Sequence, residues 1–157
     1  RERSEEAVRE IVPRSVRVKA DIVERDVHES GIRSFLNFGH TFAHAVEKVS
    51  GYGAFTHGEA VLLGMVAGLY LSDLHHGDVP LSEGSELILR LPVPEPSEEI
   101  AFEELWEAMR RDKKVQDGTV RFVLIEELGS PELSGAVTRE EASEAWTYVR
   151  DRLTQQR

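Results

Sequence analysis

The stretch Leu36–Val61, LNFGHTFAHAVEKVSGYGAFTHGEAV, decides how this chain reads. It holds three of the six histidines, His40, His44 and His57. The spacing predicts a helix from about Phe35 to Ser50 that stops at Gly51, with Gly53 just beyond, since glycine readily takes the left-handed backbone that ends a helix. At about 100° per residue, Asn37, His40 and His44 fall on one side of such a helix. Arg33 joins them if the helix reaches back so far. Phe38, Phe42, Ala45 and Val49 repeat the spacing on the opposite side. The greasy face needs only a core to explain it. The polar face needs another reason, because a surface helix more often carries Glu and Lys there.

His40 and His44, four residues apart, can both reach one metal ion. His57 opens the next helix and could fold back onto the same spot. A lone histidine is more often a surface or capping residue, but three this close on a polar face favour a site. Nitrogen donors without sulfur suit zinc, or a similar divalent ion such as cobalt, with one position open to substrate. The zinc-protease pattern H-E-x-x-H fails, because Thr41 stands where Glu is needed. The zinc-deaminase pattern fails because its second half needs cysteines and the chain has none.

Outward from this stretch, THGEAVLLGMVAGLYLSDLHHGD (Thr56–Asp78) reads as a helix that is apolar on every face from Ala60 to Leu71, hence a buried core helix. That run is shorter than the roughly 20 residues a bilayer requires. Gly64 and Gly68, four apart, point to close helix packing. Upstream, residues 3–25 read as a helix with Ala7, Ile11, Val16 and Val18 among its apolar positions, and Pro13 is expected to kink or split it. DVHESG (Asp26–Gly31) is a break. Downstream come a short helix at Leu81–Leu91, a proline-rich connector LPVPEPSEE, and a helix at Phe102–Asp112. A strand is expected at Val120–Leu128 and a second near Gly135–Thr138. A last helix covers Glu140–Thr154, with Thr138 as its N-cap. The fold expected is mostly α, with a small β element near residues 120–138.

The whole chain, residues 1–157, is expected to be a single helical domain. It opens at Arg1 inside charged, helix-like text, so a longer parent polypeptide is expected. With 19 basic and 29 acidic residues the net charge is −10, which argues against binding a nucleic-acid backbone. The absence of cysteine excludes disulfides and thiolate sites. No signal or membrane segment is visible, so a cytoplasmic protein is expected. Cations gather in two other places: Lys19 in RVKAD, near the turn leading to Arg33, and RRDKK (Arg110–Lys114). The second suits a solvated helix C-terminus. Together with the histidines, Lys19, Arg33, Lys113 and Lys114 could equally clamp an anionic substrate.

VKADIV (Val18–Val23), ESGIRSFLNFGHTFAHAVEKVSGYGAFTHGEAVLLGMV (Glu29–Val66) and MRRDKKVQDGTVRFVLIEELG (Met109–Gly129) resemble, block by block and in order, the C-terminal domain of 3-dehydroquinate synthase. The hallmark is L-N-x-G-H-[TS]-x-[GA]-H-A-[IV]-E followed by H-G-E-A-V. The resemblance is weakest at Leu71–Phe102. It implies a helical domain that carries the metal and much of the substrate site, preceded in the parent by an α/β domain that binds NAD. It implies the conversion of 3-deoxy-D-arabino-heptulosonate 7-phosphate, a small anionic sugar-acid phosphate, to 3-dehydroquinate and phosphate, a step of the shikimate route to aromatic amino acids. It also implies a homodimer.

Residue by residue, the resemblance makes His40 and His57 metal ligands, with a third ligand, a glutamate, upstream of this chain. It gives His44 a part in the substrate's proton and phosphate chemistry, against the bare spacing, which would make it a ligand. Arg33 and Lys19 match contacts to the substrate's carboxylate and hydroxyls. Asn37 and one of Lys113 or Lys114 match phosphate and hydroxyl contacts. The sequence departs from the family pattern at Val27 and His28, where a charged pair is usual, and at Ala43, where glycine is commoner. The alternatives are another sugar-phosphate cyclase, a metal-dependent alcohol dehydrogenase, and a non-catalytic or split-enzyme helical module.

Overall fold

The structure, a computed structural model, describes residues 4–29, 31–51, 53–94, 96, 100–112 and 119–155. The backbone divides into two compact units, Arg1–Leu36 and Asn37–Arg157.

In the first unit, α1 (Glu5–Arg25) is capped by Ser4, whose hydroxyl accepts from the Ala7 N–H at 3.3 Å. Glu5 and Glu6 in its first turn and Arg25 in its last complement the helix dipole. The helix runs through Pro13 as one element, so the expected split is not realised; proline removes one backbone donor without ending the run. None of its residues is buried, and Val8, Ile11, Val12, Val16 and Val18 are all exposed. The break after it is closed by Asp26, whose carboxylate accepts from the backbone N–H groups of Gly31 (2.8 Å) and Arg33 (3.0 Å). A short 3-10 helix follows at Ile32–Asn37.

The second unit holds α2 (His40–Ser50), α3 (His57–His76), α4 (Leu81–Leu89), α5 (Phe102–Arg110), the hairpin β1 (Phe122–Glu127) and β2 (Ser130–Ser134), and α6 (Arg139–Thr154). The helix expected over Phe35–Ser50 is instead two pieces, so Asn37 ends the 3-10 helix and does not share an α-helical face with His40 and His44. The cause is a backbone crossing. Gly39 adopts φ +81°, and a Cβ there would lie 2.6 Å from the Met65 nitrogen. A Cβ on Gly64 would in turn overlap the Gly39 carbonyl oxygen. The chain passes α3 too closely for any side chain at either position, and the left-handed glycine breaks the helix there. One turn along α3, a Cβ on Gly68 would come within 2.8 Å of the Phe38 ring. The close packing read from Gly64 and Gly68 is thus present at both.

α3 is the core helix: Ala60, Leu63, Val66, Ala67, Leu69 and Leu71 are buried. It packs against α2, α4, α6 and β1. The greasy face of α2 enters the same core through Phe42, Ala45 and Val46. Phe42 stacks on Trp146 of α6 (centroids 6.3 Å, 11°) and tilts against Phe122 of β1 (5.7 Å). Buried Ser72 fastens the hairpin: its hydroxyl donates to the Gly68 carbonyl (2.6 Å) and accepts from the Ile125 N–H (2.9 Å).

The second strand lies earlier than expected. Gly129, at φ +98°, turns the chain straight back, so Ser130–Ser134 pairs antiparallel with β1 (Val123 opposite Leu133). The segment after it, expected as a strand at Gly135–Thr138, is a connector that buries Val137. Thr138 then caps α6, as its sequence predicts, in a reciprocal pair with Glu141. No described helix is long and apolar enough to cross a membrane.

Candidate functional site

Because Gly39 ends the preceding segment, α2 begins with His40, and His44 follows one turn later on the same side. His57 is the first residue of α3. Its position is set by a capping box. The Thr56 hydroxyl accepts from the Glu59 N–H (3.3 Å), and the Glu59 carboxylate accepts from the Thr56 N–H (2.7 Å) and hydroxyl (2.8 Å). The Thr56 backbone N–H, with its hydroxyl, holds the Glu59 carboxyl below the usual glutamate range. Glu59 therefore anchors the first turn that presents His57.

The three imidazoles come together. Ring centroids lie 5.3 Å apart for His40 and His57, 5.8 Å for His40 and His44, and 6.2 Å for His44 and His57. Each ring has an oxygen acceptor at Nδ1. For His40 it is the Phe38 carbonyl (3.2 Å), for His44 the Asp112 carboxylate (2.9 Å), and for His57 the Glu47 carboxylate (3.2 and 3.4 Å). Carbonyls and carboxylates only accept, so Nδ1 donates in all three. In the neutral ring the lone pair then sits on Nε2. Imidazoles clustered in this way can contribute ligands to a cation that takes further donors from elsewhere, or can move protons. Among the described residues no three His, Asp or Glu side chains converge closely enough to enclose an ion by themselves.

The other expected residues are placed as follows. Arg33 lies in the 3-10 helix, where its guanidinium donates to the Val27 carbonyl (2.8 Å) and lies 3.9 Å from Glu29. Lys19 is exposed on α1, and Asn37 ends the 3-10 helix, half-buried. Lys113 and Lys114 lie outside the described residues. Of RRDKK, Arg110 and Arg111 pair with Glu107 of their own helix at 3.2 and 3.5 Å. For those two, the solvated helix end is the reading that holds. Sequence reasoning missed Glu47 and Asp112 as partners of the histidines. Glu47 stands three residues after His44, and its tie to His57 depends on how two helices meet. Asp112 is 68 residues from His44 and no local period links them.

Residues 1–115 match the family model for the 3-dehydroquinate synthase C-terminal domain. The 3-dehydroquinate synthase of Salinibacter ruber is 49% identical over 145 residues, covering 92% of this chain and 40% of that protein. That of Syntrophotalea carbinolica is 44% identical over 131 residues, covering 81% and 36%. The chain thus spans two fifths or less of the length of these relatives. Among solved structures, the fold is similar to 2-epi-5-epi-valiolone synthase from Streptomyces hygroscopicus subsp. jinggangensis, solved with NAD+ and Zn2+ bound. The TM-score is 0.76 at 23% identity, over 95% of this chain and 42% of that one. It is also similar to 2-deoxy-scyllo-inosose synthase, solved with carbaglucose-6-phosphate, NAD+ and Co2+, with a TM-score of 0.68 at 20% identity over 85% and 38%. These two likenesses concern the fold. On the family match and the identities to the curated relatives, the chain belongs to the 3-dehydroquinate synthase family, as its C-terminal domain.

Proposed function

We propose that this chain is the metal- and substrate-binding domain of a 3-dehydroquinate synthase, which turns 3-deoxy-D-arabino-heptulosonate 7-phosphate into 3-dehydroquinate and phosphate. The observation that carries the reading is the cluster of three imidazoles, each held at Nδ1, inside the stretch that matches the family. His40 and His57 would hold zinc or cobalt, with a glutamate from outside this chain as third ligand. Two neutral nitrogens suit either ion. When bound, the ion polarises the alcohol that NAD oxidises. NAD belongs to an α/β domain expected in the parent protein, and the two similarly folded cyclases were solved with NAD+ and with Zn2+ or Co2+.

The remaining work falls to this chain's side chains. His44 takes and returns a proton at Nε2 beside the metal pair. Arg33 offers a planar fork that suits the substrate carboxylate. Lys19, Asn37 and one of Lys113 or Lys114 bind substrate hydroxyls and phosphate. A cytoplasmic homodimer is the assembly that the resemblance implies.

The test is phosphate release by the full-length parent, supplied with the heptulosonate phosphate, NAD and zinc, for wild type and His40→Ala. Release by the wild type and none by the variant supports the reading. No release from a folded, metal-loaded parent refutes it. Turnover of a sugar phosphate without a carboxylate would then favour another cyclase of the same fold, which Arg33 argues against. The isolated chain is expected to be inactive, since losing one ligand weakens a metal site severely. Turnover by the chain alone would overturn that expectation.

A further inference from the structure

Of the three Nδ1 contacts, the one between His44 and Asp112 is the shortest, at 2.9 Å. Both side chains are about two-thirds shielded, with 36% and 28% of their surface exposed. The acceptor is fixed by backbone. The Asp112 N–H donates to the Met109 carbonyl at 3.1 Å, which folds Asp112 onto the end of α5, and α5 packs against α2. Donor and acceptor are thus both anchored to helices that touch each other. The contact joins two residues 68 apart in sequence, so it exists only because α2 and α5 meet in the fold.

We infer that Asp112 is a positioning residue for the reaction: it holds His44 in the Nδ1–H tautomer and turns Nε2 toward the substrate. This deepens the proposed function and rests on its placing of His44 beside the substrate. A proton accepted from substrate at Nε2 leaves again from Nε2. The Nδ1 proton stays shared with Asp112, which remains a carboxylate throughout. The physical parallel is a carboxylate that fixes the tautomer of a catalytic imidazole without taking up the proton itself. His40 has a different device, a backbone carbonyl at Nδ1, which no side-chain change can remove.

The experiment uses the full-length enzyme with zinc and NAD, comparing wild type with Asp112→Asn and Asp112→Glu. Asparagine is nearly isosteric but can donate to Nδ1, which favours the opposite tautomer. In Asp112→Asn, kcat should fall by about 10²–10⁴-fold, as when a carboxylate that orients a catalytic imidazole becomes an amide. KM should stay within about threefold and zinc content should be unchanged. The 15N signals of His44 should change from the Nδ1–H to the Nε2–H pattern. Asp112→Glu, which keeps an acceptor, should recover part of the lost kcat. Asp112→Asn with wild-type kcat and bound zinc overturns the inference, and so does an Nε2–H pattern for His44 in the wild type. If the wild type releases no phosphate, the proposed function fails, and the 15N signals still decide whether Asp112 sets the tautomer. If the asparagine variant does not fold, the glutamate variant and the wild-type spectrum decide.

Discussion

One helix, α3, carries histidines at both ends, and the two ends treat them in opposite ways. At the N-terminal end, His57 meets Glu47 through Nδ1, and its neighbours His40 and His44 are likewise held at Nδ1. At the C-terminal end, His76 meets Glu132 of β2 through Nε2 at 3.1 Å. His75 Nε2 lies 3.5 Å from Glu141 of α6, close enough for an ionic contact, and is buried with no hydrogen-bond partner among the described residues. A histidine can meet a ligand through either ring nitrogen, and where Nδ1 is engaged the outer nitrogen, Nε2, is the one left to do so. Tying down Nδ1 leaves it available, whereas placing carboxylates at Nε2 uses it to bind neighbouring elements together. The residue type is the same at both ends, and the nitrogen engaged is what distinguishes the candidate site from the structural pins.

The sharpest way to break this comparison is to remove one histidine from each end. In the full-length enzyme, His57→Ala should lose stably bound zinc and reduce phosphate release to background, since a metal site that loses a protein ligand binds far more weakly. His76→Ala should keep both, because its imidazole joins α3 to β2 and faces no proposed ligand. Zinc content by elemental analysis and phosphate release by a coupled assay read the two effects. Zinc retained in His57→Ala, or lost in His76→Ala, would dissolve the distinction.

The two ends can differ only if the helix between them stays seated. Gly64→Ala places a methyl on the Gly39 carbonyl, where the contact is backbone against backbone and neither partner can swing aside. Overpacking of this kind costs about 1–3 kcal/mol and sometimes more, and the upper part of that range is expected here. Urea unfolding of the full-length protein measures it. A loss below about 0.5 kcal/mol would mean that the two backbones separate easily.

The same crossing marks the limit of what could be read from the sequence. Helix identities followed from composition: the apolar run at 60–71 and the Thr138 cap stand where the sequence places them, and of the greasy set Phe38, Phe42, Ala45 and Val49, Phe42 and Ala45 are buried on α2, while Phe38 precedes that helix and Val49 is half-buried. The break at Gly39 did not, because the cause is a partner backbone 25 residues away. Residue periodicity records which face is apolar, not how close another chain comes. β2 was misplaced for a related reason. SPELS has little strand character, and its pairing is imposed by the turn at Gly129 and by a neighbour already in extended form. In the candidate site, the gathering of the three histidines was legible by spacing and by resemblance. Their carboxylate partners were not, since Glu47 and Asp112 become partners only when α2, α3 and α5 meet.

Glu47 allows a finer comparison. A carboxylate on the far nitrogen of a metal-binding histidine fixes its orientation, and removing such a partner typically weakens metal binding about 10–100-fold. Glu47→Gln should therefore lower zinc affinity by that factor in the full-length enzyme, measured by chelator competition, while activity at saturating zinc stays near wild type. Glu132→Gln, at the other end of α3, should leave zinc affinity unchanged. Equal zinc affinities in the two variants would show that His57 needs no help from Glu47.

The smallest expected effect concerns the acid that faces His75. The Glu141 carboxyl lies below the usual glutamate range, chiefly because it accepts from the Thr138 backbone N–H, with further help from the Thr138 hydroxyl and the neighbouring His75. A carboxyl whose folded value is depressed adds stability that is whole above its unfolded value. That stability fades as the pH falls through the folded one. Glu141→Gln should therefore cost about 0.5–1 kcal/mol near neutral pH, the usual size of a charged cap partner at a helix N-terminus. The difference from wild type should shrink as the pH drops below the ordinary glutamate value of 4.5. Paired urea titrations near neutrality and well below that value read the change. A difference that stays constant would mean that the Glu141 charge contributes nothing and the Thr138 hydroxyl alone holds the end of α6, leaving His75 without an ionic partner of consequence.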